Sequence, residues 1–509
     1  MEATSQALYK IIKGTGCLFI GTIISMALGF LTTLIIARCF SKAEYGLYNL
    51  VLTIVTIILI FMTLGFPNSL PRKLPYYIEK KPSKVNKLIS SALIIVALNS
   101  IILAMLLMLG AEIIGKIFGE EKLIEALMIV APVLPFSALT GIIFSISQGF
   151  GRIRERIYFA HIFQPIIFLT LVIVVVALNL NFNFIFFAYV IAQIVTFLAL
   201  ILYMLRQKIL HLEFSIDLTL SRELILFSVP LFFVGILHFI ATWTDTLMLG
   251  YYRDAEAVGL YNSASSIAKN LSIFLSLTSF LYVPLATSFY ENGKIREMGR
   301  IYQILTKWVF ILTLPIFTLI ILYPEEVIKL FFGEKYVSSA LTLQVLNIGF
   351  MFHILLGLNG LSLIIVGENK FIFLSSTVAS IFNIVFNALL IPKYGLVGAA
   401  IATSTSYFVA NLLNSLRLYQ KTKIHPFTWN YIKLLVISFT MLAMIKVLNF
   451  NVPNILYAIQ ILIVFFVIYF FLVLLSRSFD KEDVELLLAI ENRFGINLSI
   501  LKKILKRFV

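Results

Sequence analysis

The sequence predicts an all-α, polytopic membrane protein of about fourteen transmembrane helices, built as two six-helix lobes in parallel repeat plus two C-terminal helices. Three observations predict it. Apolar residues make up 60% of the chain and charged ones 13%, against roughly 25% charged in soluble proteins; mean hydropathy is +1.00. Apolar stretches of bilayer-crossing length recur from end to end, and the basic content of the joints between them alternates. Short motifs also return at one spacing: Gly46-Leu-Tyr-Asn49 as Gly259-Leu-Tyr-Asn262 at an offset of 213, and Phe118-Gly-Glu120 and Ala126-Leu127 as Phe332-Gly-Glu334 and Ala340-Leu341 at 214.

The first lobe, 1–210, holds spans at 14–37, 46–65, 88–110, 127–148, 157–178 and 184–205. The second, 211–420, holds 224–251, 260–289, 306–323, 340–366, 371–391 and 396–418. Spans at 431–448 and 455–475 make a third segment, 421–476, and a tail follows over 477–509. Each span has about the 17–25 residues a bilayer needs, or somewhat more. Equivalent motifs are six spans apart, an even number, so the two lobes share orientation.

Charge orients the spans. Even-numbered joints are basic: the second carries Arg72, Lys73, Lys80, Lys81, Lys84 and Lys87, and the fourth Arg152, Arg154 and Arg156. The third and ninth joints carry acidic clusters, among them Glu120, Glu121 and Glu125, and Glu325, Glu326 and Glu334. Positive joints stay in the cytoplasm, so both termini are expected there, in a plasma (cytoplasmic) membrane protein. The net charge of +15 then reflects cytoplasmic joints rather than nucleic-acid binding. The polar start, Met1 to Lys13, runs into a full-length span, so no cleavable signal peptide is expected. In the tail, Leu501, Ile504, Leu505 and Phe508 share a face opposite Lys502, Lys503, Lys506 and Arg507, a pattern for a helix on an anionic leaflet or for a tail that reinforces orientation.

Several function classes drop out. Cys17 and Cys39 stand 22 residues apart on one predicted helix, roughly 33 Å at 1.5 Å per residue, so they cannot pair. The five histidines are scattered, and there is no P-loop, no HExxH and no metal-spaced His/Cys cluster. No joint is long enough for a catalytic or nucleotide-binding domain; the longest, 66–87, is about twenty residues. The expectation is a protein that is not an enzyme, needs no cofactor, and moves something by changing shape.

Few charged groups lie inside spans. Asp245 in span seven is costly in hydrocarbon, which points to a polar interior where it serves as a site or gate, or to a structural ion pair. Lys269 in span eight either meets a substrate phosphate, pairs with Asp245, or snorkels along its stem. His238 and His353 read as satisfied interior side chains, and Arg38 stands at the end of the first span. Amides crowd the second lobe; Asn383 and Asn387, at i,i+4, share a face, fit either for interhelical hydrogen bonds or for a hydrated cavity suited to sugars. Pro132, Pro135, Pro165, Pro230, Pro284 and Pro315 mark bending points.

Three stretches carry a resemblance. Ile36-Ala-Arg-Cys-Phe-Ser-Lys-Ala-Glu-Tyr-Gly-Leu-Tyr48, the run from Ser228-Val-Pro through Asp245-Thr-Leu-Met-Leu-Gly250 to Val258-Gly-Leu-Tyr261, and Tyr394-Gly-Leu-Val-Gly-Ala-Ala-Ile-Ala-Thr403 resemble the polysaccharide-biosynthesis flippases of the multidrug/oligosaccharidyl-lipid/polysaccharide exporter superfamily, O-antigen flippases among them. The resemblance implies a flippase that carries a polyprenyl-phosphate-linked oligosaccharide from the cytoplasmic to the outer leaflet by alternating access. Membrane lipids would be its surroundings, and glycosyltransferases or a polymerase of the same pathway its partners. Arg38, Asp245 and Tyr261 match motif positions. An ion-coupled multidrug exporter of the same superfamily and a non-transporting scaffold of a glycan-assembly complex are the alternatives. The sequence leaves the coupling ion open between Na⁺, H⁺ and none, along with the sugar, the lipid and the oligomeric state.

Overall fold

The computed structural model describes residues 2–207, 217–448, 455–476, 478–480, 483 and 491, with side chains from residue 19 onward except over 442–462. The tail over 498–509 and most of the connection between the two lobes lie outside the described residues. Helices and turns account for all the regular structure described, with no strand. In hydrocarbon a backbone must satisfy its own polar groups, and helices do so within one segment.

Eleven described segments are long and apolar enough to cross a membrane, three fewer than the sequence count of fourteen. One of them, Asn369–Thr422, is 54 residues long, about 81 Å if it were straight, which is far more than one bilayer. It contains two helices that turn back at Gly395, whose φ of 55° is open to glycine and strained for other residues. Two helices follow, Asn430–Leu448 and Ile455–Leu475, whose described apolar stretches, Asn430–Met441 and Ile463–Leu475, are short.

Local chemistry sets the ends and breaks. Lys42–Thr63 starts on a capping box, with Ser41 Oγ accepting from the Glu44 amide and the Glu44 carboxylate accepting from the Ser41 amide at 2.9 Å. It ends where Leu64 (φ 51°) and Gly65 (φ 76°) are both left-handed. The basic second joint is itself a helix, Phe66–Lys80, which buries Phe66, Ser69, Leu70, Leu74 and Tyr77 on one face. Span five opens with a π-helical stretch, Ile157–Phe163, in which the Gln164 amide reaches back five residues to the Phe159 carbonyl. Pro165 is the cause: it has no N–H for the His161 carbonyl, and its ring would crowd that carbonyl in a regular helix. Pro230, Pro284 and Pro315 lie within continuous helices.

The chain divides into two compact units. One comprises Gly14–Ser263 with Asn383–Ala399, and the other Met1–Lys13, Ala264–Phe382 and Ala400–Val509. The lobe boundaries at 210 and 420 follow the repeat rather than this packing. In the first unit, span seven (Leu218–Tyr252) packs on Lys42–Thr63, Phe66–Lys80 and Val85–Phe118. In the second, Ile295–Leu322 packs on Ile273–Glu291, Ala340–Leu356 and Asn430–Leu448, around Phe310, Leu314, Tyr431 and Tyr469.

Candidate functional site

Span seven runs to Tyr252, turns through Arg253 and Asp254, and returns as Ala255–Asn270. Asp254 caps the returning helix, its Oδ1 accepting from the Ala257 amide at 2.7 Å. In this antiparallel hairpin, residues equally far from the turn face each other. Asp245 therefore meets Tyr261, and Thr246 meets Asn262.

Asp245 is 5% exposed. Tyr261 Oη donates to its Oδ2 at 2.6 Å, while Asn387 Nδ2 donates to its Oδ1 at 2.8 Å and Asn383 Nδ2 to the same oxygen at 3.3 Å. Asn387 Nδ2 also donates to Asn383 Oδ1 at 3.1 Å, as their shared helix face requires. These four residues come from three separate stretches, all in one compact unit. A buried carboxylate needs such donors, because each replaces part of the hydration lost on burial. Among the described residues, the buried Asn387 Oδ1 has no hydrogen-bond partner.

The other sequence candidates lie elsewhere. His238, expected as an interior side chain, is instead exposed on the same helix, seven residues or roughly 10 Å before Asp245. Arg38 is exposed in the last turn of the first helix. Lys269 is half-buried in the last turn of Ala255–Asn270, immediately before a break that restarts as Ile273–Glu291, and belongs to the other compact unit. His353 Nδ1 lies 3.0 Å from Asn411 Nδ2, while Asn359 donates to the Asn411 carbonyl at 3.0 Å and to Ser415 Oγ at 2.9 Å. In that second unit these amides join helix to helix, which is the structural half of the expectation.

Three features escaped the sequence reading. The first is a seam between the two copies of the repeated tetrapeptide. A Cβ on Gly46 would fall 1.6 Å from the Ala255 carbonyl oxygen, and one on Gly259 would fall 2.2 Å from the Lys42 carbonyl oxygen. Each copy is thus the surface on which the other rests, and Lys42 and Glu256 pair beside them at 2.5 Å. Repetition of the motif was visible; its self-complementarity was not. The copies differ in their tyrosines: Tyr48 stacks on Phe168, whereas Tyr261 turns to Asp245.

The second is Arg253, whose Nη2 donates to the carbonyls of Ile391 and Pro392 at 3.2 and 2.9 Å. The third is Lys307, near the start of span nine with its side chain 2% exposed, which pairs with Asp483 at 2.6 Å and Asp480 at 3.1 Å. Trp308 Nε1 donates to Asp483 and Asn430 Nδ2 to Asp480, closing the network. A lysine at the edge of an apolar run looks like one more cytoplasmic charge, so sequence gave no reason to single it out.

Known proteins place this geometry. The family described as polysaccharide biosynthesis protein matches residues 11–287, more than half the chain, and the MatE family matches 230–389. The chain is 24% identical over 429 residues to the uncharacterized membrane protein MJ1068 of Methanocaldococcus jannaschii, covering 79% of this chain and 82% of that one. It is 23% identical over 414 residues to the capsular polysaccharide biosynthesis protein CapF of Staphylococcus aureus, covering 78% and 97%. In fold it is similar to the lipid II flippase MurJ in an inward closed conformation, with a TM-score of 0.71 at 19% identity over 89% of this chain and 97% of that one. An inward-facing multidrug resistance MATE transporter gives 0.62 at 14% identity over 82% and 94%. A multi-pass helical membrane protein with a family match over more than half its length, this chain belongs to the polysaccharide biosynthesis protein family.

Proposed function

We propose that the protein is a flippase that carries a polyprenyl-phosphate-linked oligosaccharide from the cytoplasmic to the outer leaflet of the plasma membrane by alternating access. The observation that carries the reading is the seam of Gly46 and Gly259, which draws the opening stretches of the two sequence halves onto one another. A chain built as a repeat, in which the two copies of the tetrapeptide meet, is suited to a cycle in which that meeting forms and parts. We read the seam as outer and both termini as cytoplasmic, because positive joints stay in the cytoplasm.

Substrate class is supported by relatives named for such work: CapF, the probable low-salt glycan biosynthesis flippase Agl15 of Haloferax volcanii, and the putative O-antigen transporter of Shigella flexneri. Glycosyltransferases or a polymerase of the same pathway would supply and consume the substrate. Lys269, beside a helix break, is the cation we assign to the substrate phosphate. Where turnover is ion-coupled, Asp245 is the group we assign to it, since its buried carboxylate offers the hard oxygen ligands a small cation takes.

The test is depletion of the protein in its own host. Lipid-linked oligosaccharide should accumulate in the cytoplasmic leaflet and vanish from the outer one, as read by an impermeant sugar-oxidising label. Unchanged outer labelling would reject the flippase. The MatE match supports the exporter as second reading; loss of drug resistance on depletion, with glycan export intact, would select it.

A further inference from the structure

Arg253 stands in the turn after span seven, eight residues beyond Asp245. Its guanidinium donates to the carbonyls of Ile391 and Pro392, in the turn of helix that follows Asn387. Those carbonyls need outside donors because Gly395, at φ 55° and ψ −125°, leaves the helical path. The side chain lies across that turn, with Nε 3.8 Å from where Gly395 would carry a Cβ. Beyond it, Gly398 packs so closely that a Cβ would come within 2.4 Å of the Leu390 carbonyl oxygen, so the two arms of the hairpin are held tightly at this point.

Span seven and the incoming arm of this hairpin are therefore linked at two heights. One rung joins Asp245 to Asn383 and Asn387, and the other joins Arg253 to Ile391 and Pro392. Two parallel helices joined at one rung can still slide, and a slip of one residue, about 1.5 Å, is enough to break a 2.8 Å hydrogen bond. Two rungs fix the register. We propose that Arg253 is a positioning residue for the Asp245 cluster: by gripping the end of span eleven it sets the height at which Asn383 and Asn387 meet the carboxylate. Its importance to transport rests on the flippase reading; its effect on register does not.

Cysteines replacing Asp245 and Asn387, in full-length protein lacking Cys17 and Cys39, report that height through a short thiol-to-thiol reagent in native membranes. In this background Arg253→Ala should slow cross-linking at least tenfold at equal membrane abundance. Arg253→Lys, which keeps a donor able to reach one carbonyl, should return the rate to within about threefold of the parent. Cross-linking at the parental rate in Arg253→Ala overturns the proposal whatever transport does. If that variant does not accumulate, Arg253→Gln decides: its single neutral amide should give a slower rate than Arg253→Lys, and a rate equal to the parent's overturns the proposal. In the protein with Asp245 and Asn387 intact, Arg253→Ala should lower glycan export and Arg253→Lys restore it. A wild type that exports no glycan, with the register effect intact, would reject the flippase reading alone.

Discussion

Gly46 and Gly259 hold the same place in two copies of one tetrapeptide, and each copy packs against the backbone at the other's helix start. No side chain fits there, since the nearest backbone oxygens stand 1.6 and 2.2 Å from the positions a Cβ would take. Cysteines at positions 42 and 256, replacing the ion pair, should cross-link rapidly in the parent. Gly46→Ala or Gly259→Ala should slow that reaction at least tenfold. Gly29→Ala is the control, because a Cβ at Gly29 meets nothing within 4 Å. Equal rates in all three variants would dissolve the seam as a closing element.

The Asp245 cluster makes a separate prediction. Tyr261→Phe removes one hydrogen bond to a buried charge, worth about 1.5–3 kcal/mol, and keeps the ring. Thermal unfolding in detergent should show that loss. Asp245→Asn should abolish most export, since an amide cannot accept as a carboxylate does from three donors. Full export by Asp245→Asn would reduce the cluster to a structural one.

Lys269 can be tested against its rival role. If it serves a substrate phosphate, Lys269→Met should insert and fold yet lose export, and adding Asp245→Asn should not rescue it. If it serves Asp245, the single change should lower stability and the double change restore it. Export at the parental rate in Lys269→Met would exclude the phosphate role.

Lys307 predicts a stability effect with no transport step. Lys307→Met strands Asp483, fully buried, and Asp480, half-exposed. Breaking a buried ion pair from one side costs about 3–5 kcal/mol. The midpoint of thermal unfolding should fall accordingly, and Lys307→Met with Asp483→Asn should recover part of it. An unchanged midpoint in the single variant would show that the network adds nothing.

Legibility in the sequence followed the solvent. Hydrocarbon demands apolar runs, so the spans could be read directly, and an aspartate among them drew notice because burying it is costly. Asn383 and Asn387 could be paired with each other by helix periodicity, but nothing in their own sequence said that Asp245 would be their partner. That depends on which helices become neighbours, a tertiary matter. The turn at Gly395 was placed correctly as a joint, while its grip by Arg253 depends on backbone carbonyls, which no side-chain pattern encodes. The same limit hid the seam: two glycines say that space is scarce, not what fills it.

The wide turn at Ile157–Phe163 changes how span five addresses its neighbours. A π-turn takes in one residue more than an α-turn, so the stripe of residues facing a given direction is displaced by about one position, roughly 100° around the axis. Before the displacement the helix offers Ile157 to Gly21 of span one, where a Cβ would come within 2.5 Å of the isoleucine. After it, Gln164–Ala177 lays its face along Phe184–Arg206. The stretch 157–163 itself also touches Phe184–Arg206, where Phe159 meets Tyr203, so the displacement falls where span five meets both neighbours. Deleting a single residue within 157–163 should therefore do more harm in span five than the loss of one turn at either of its ends.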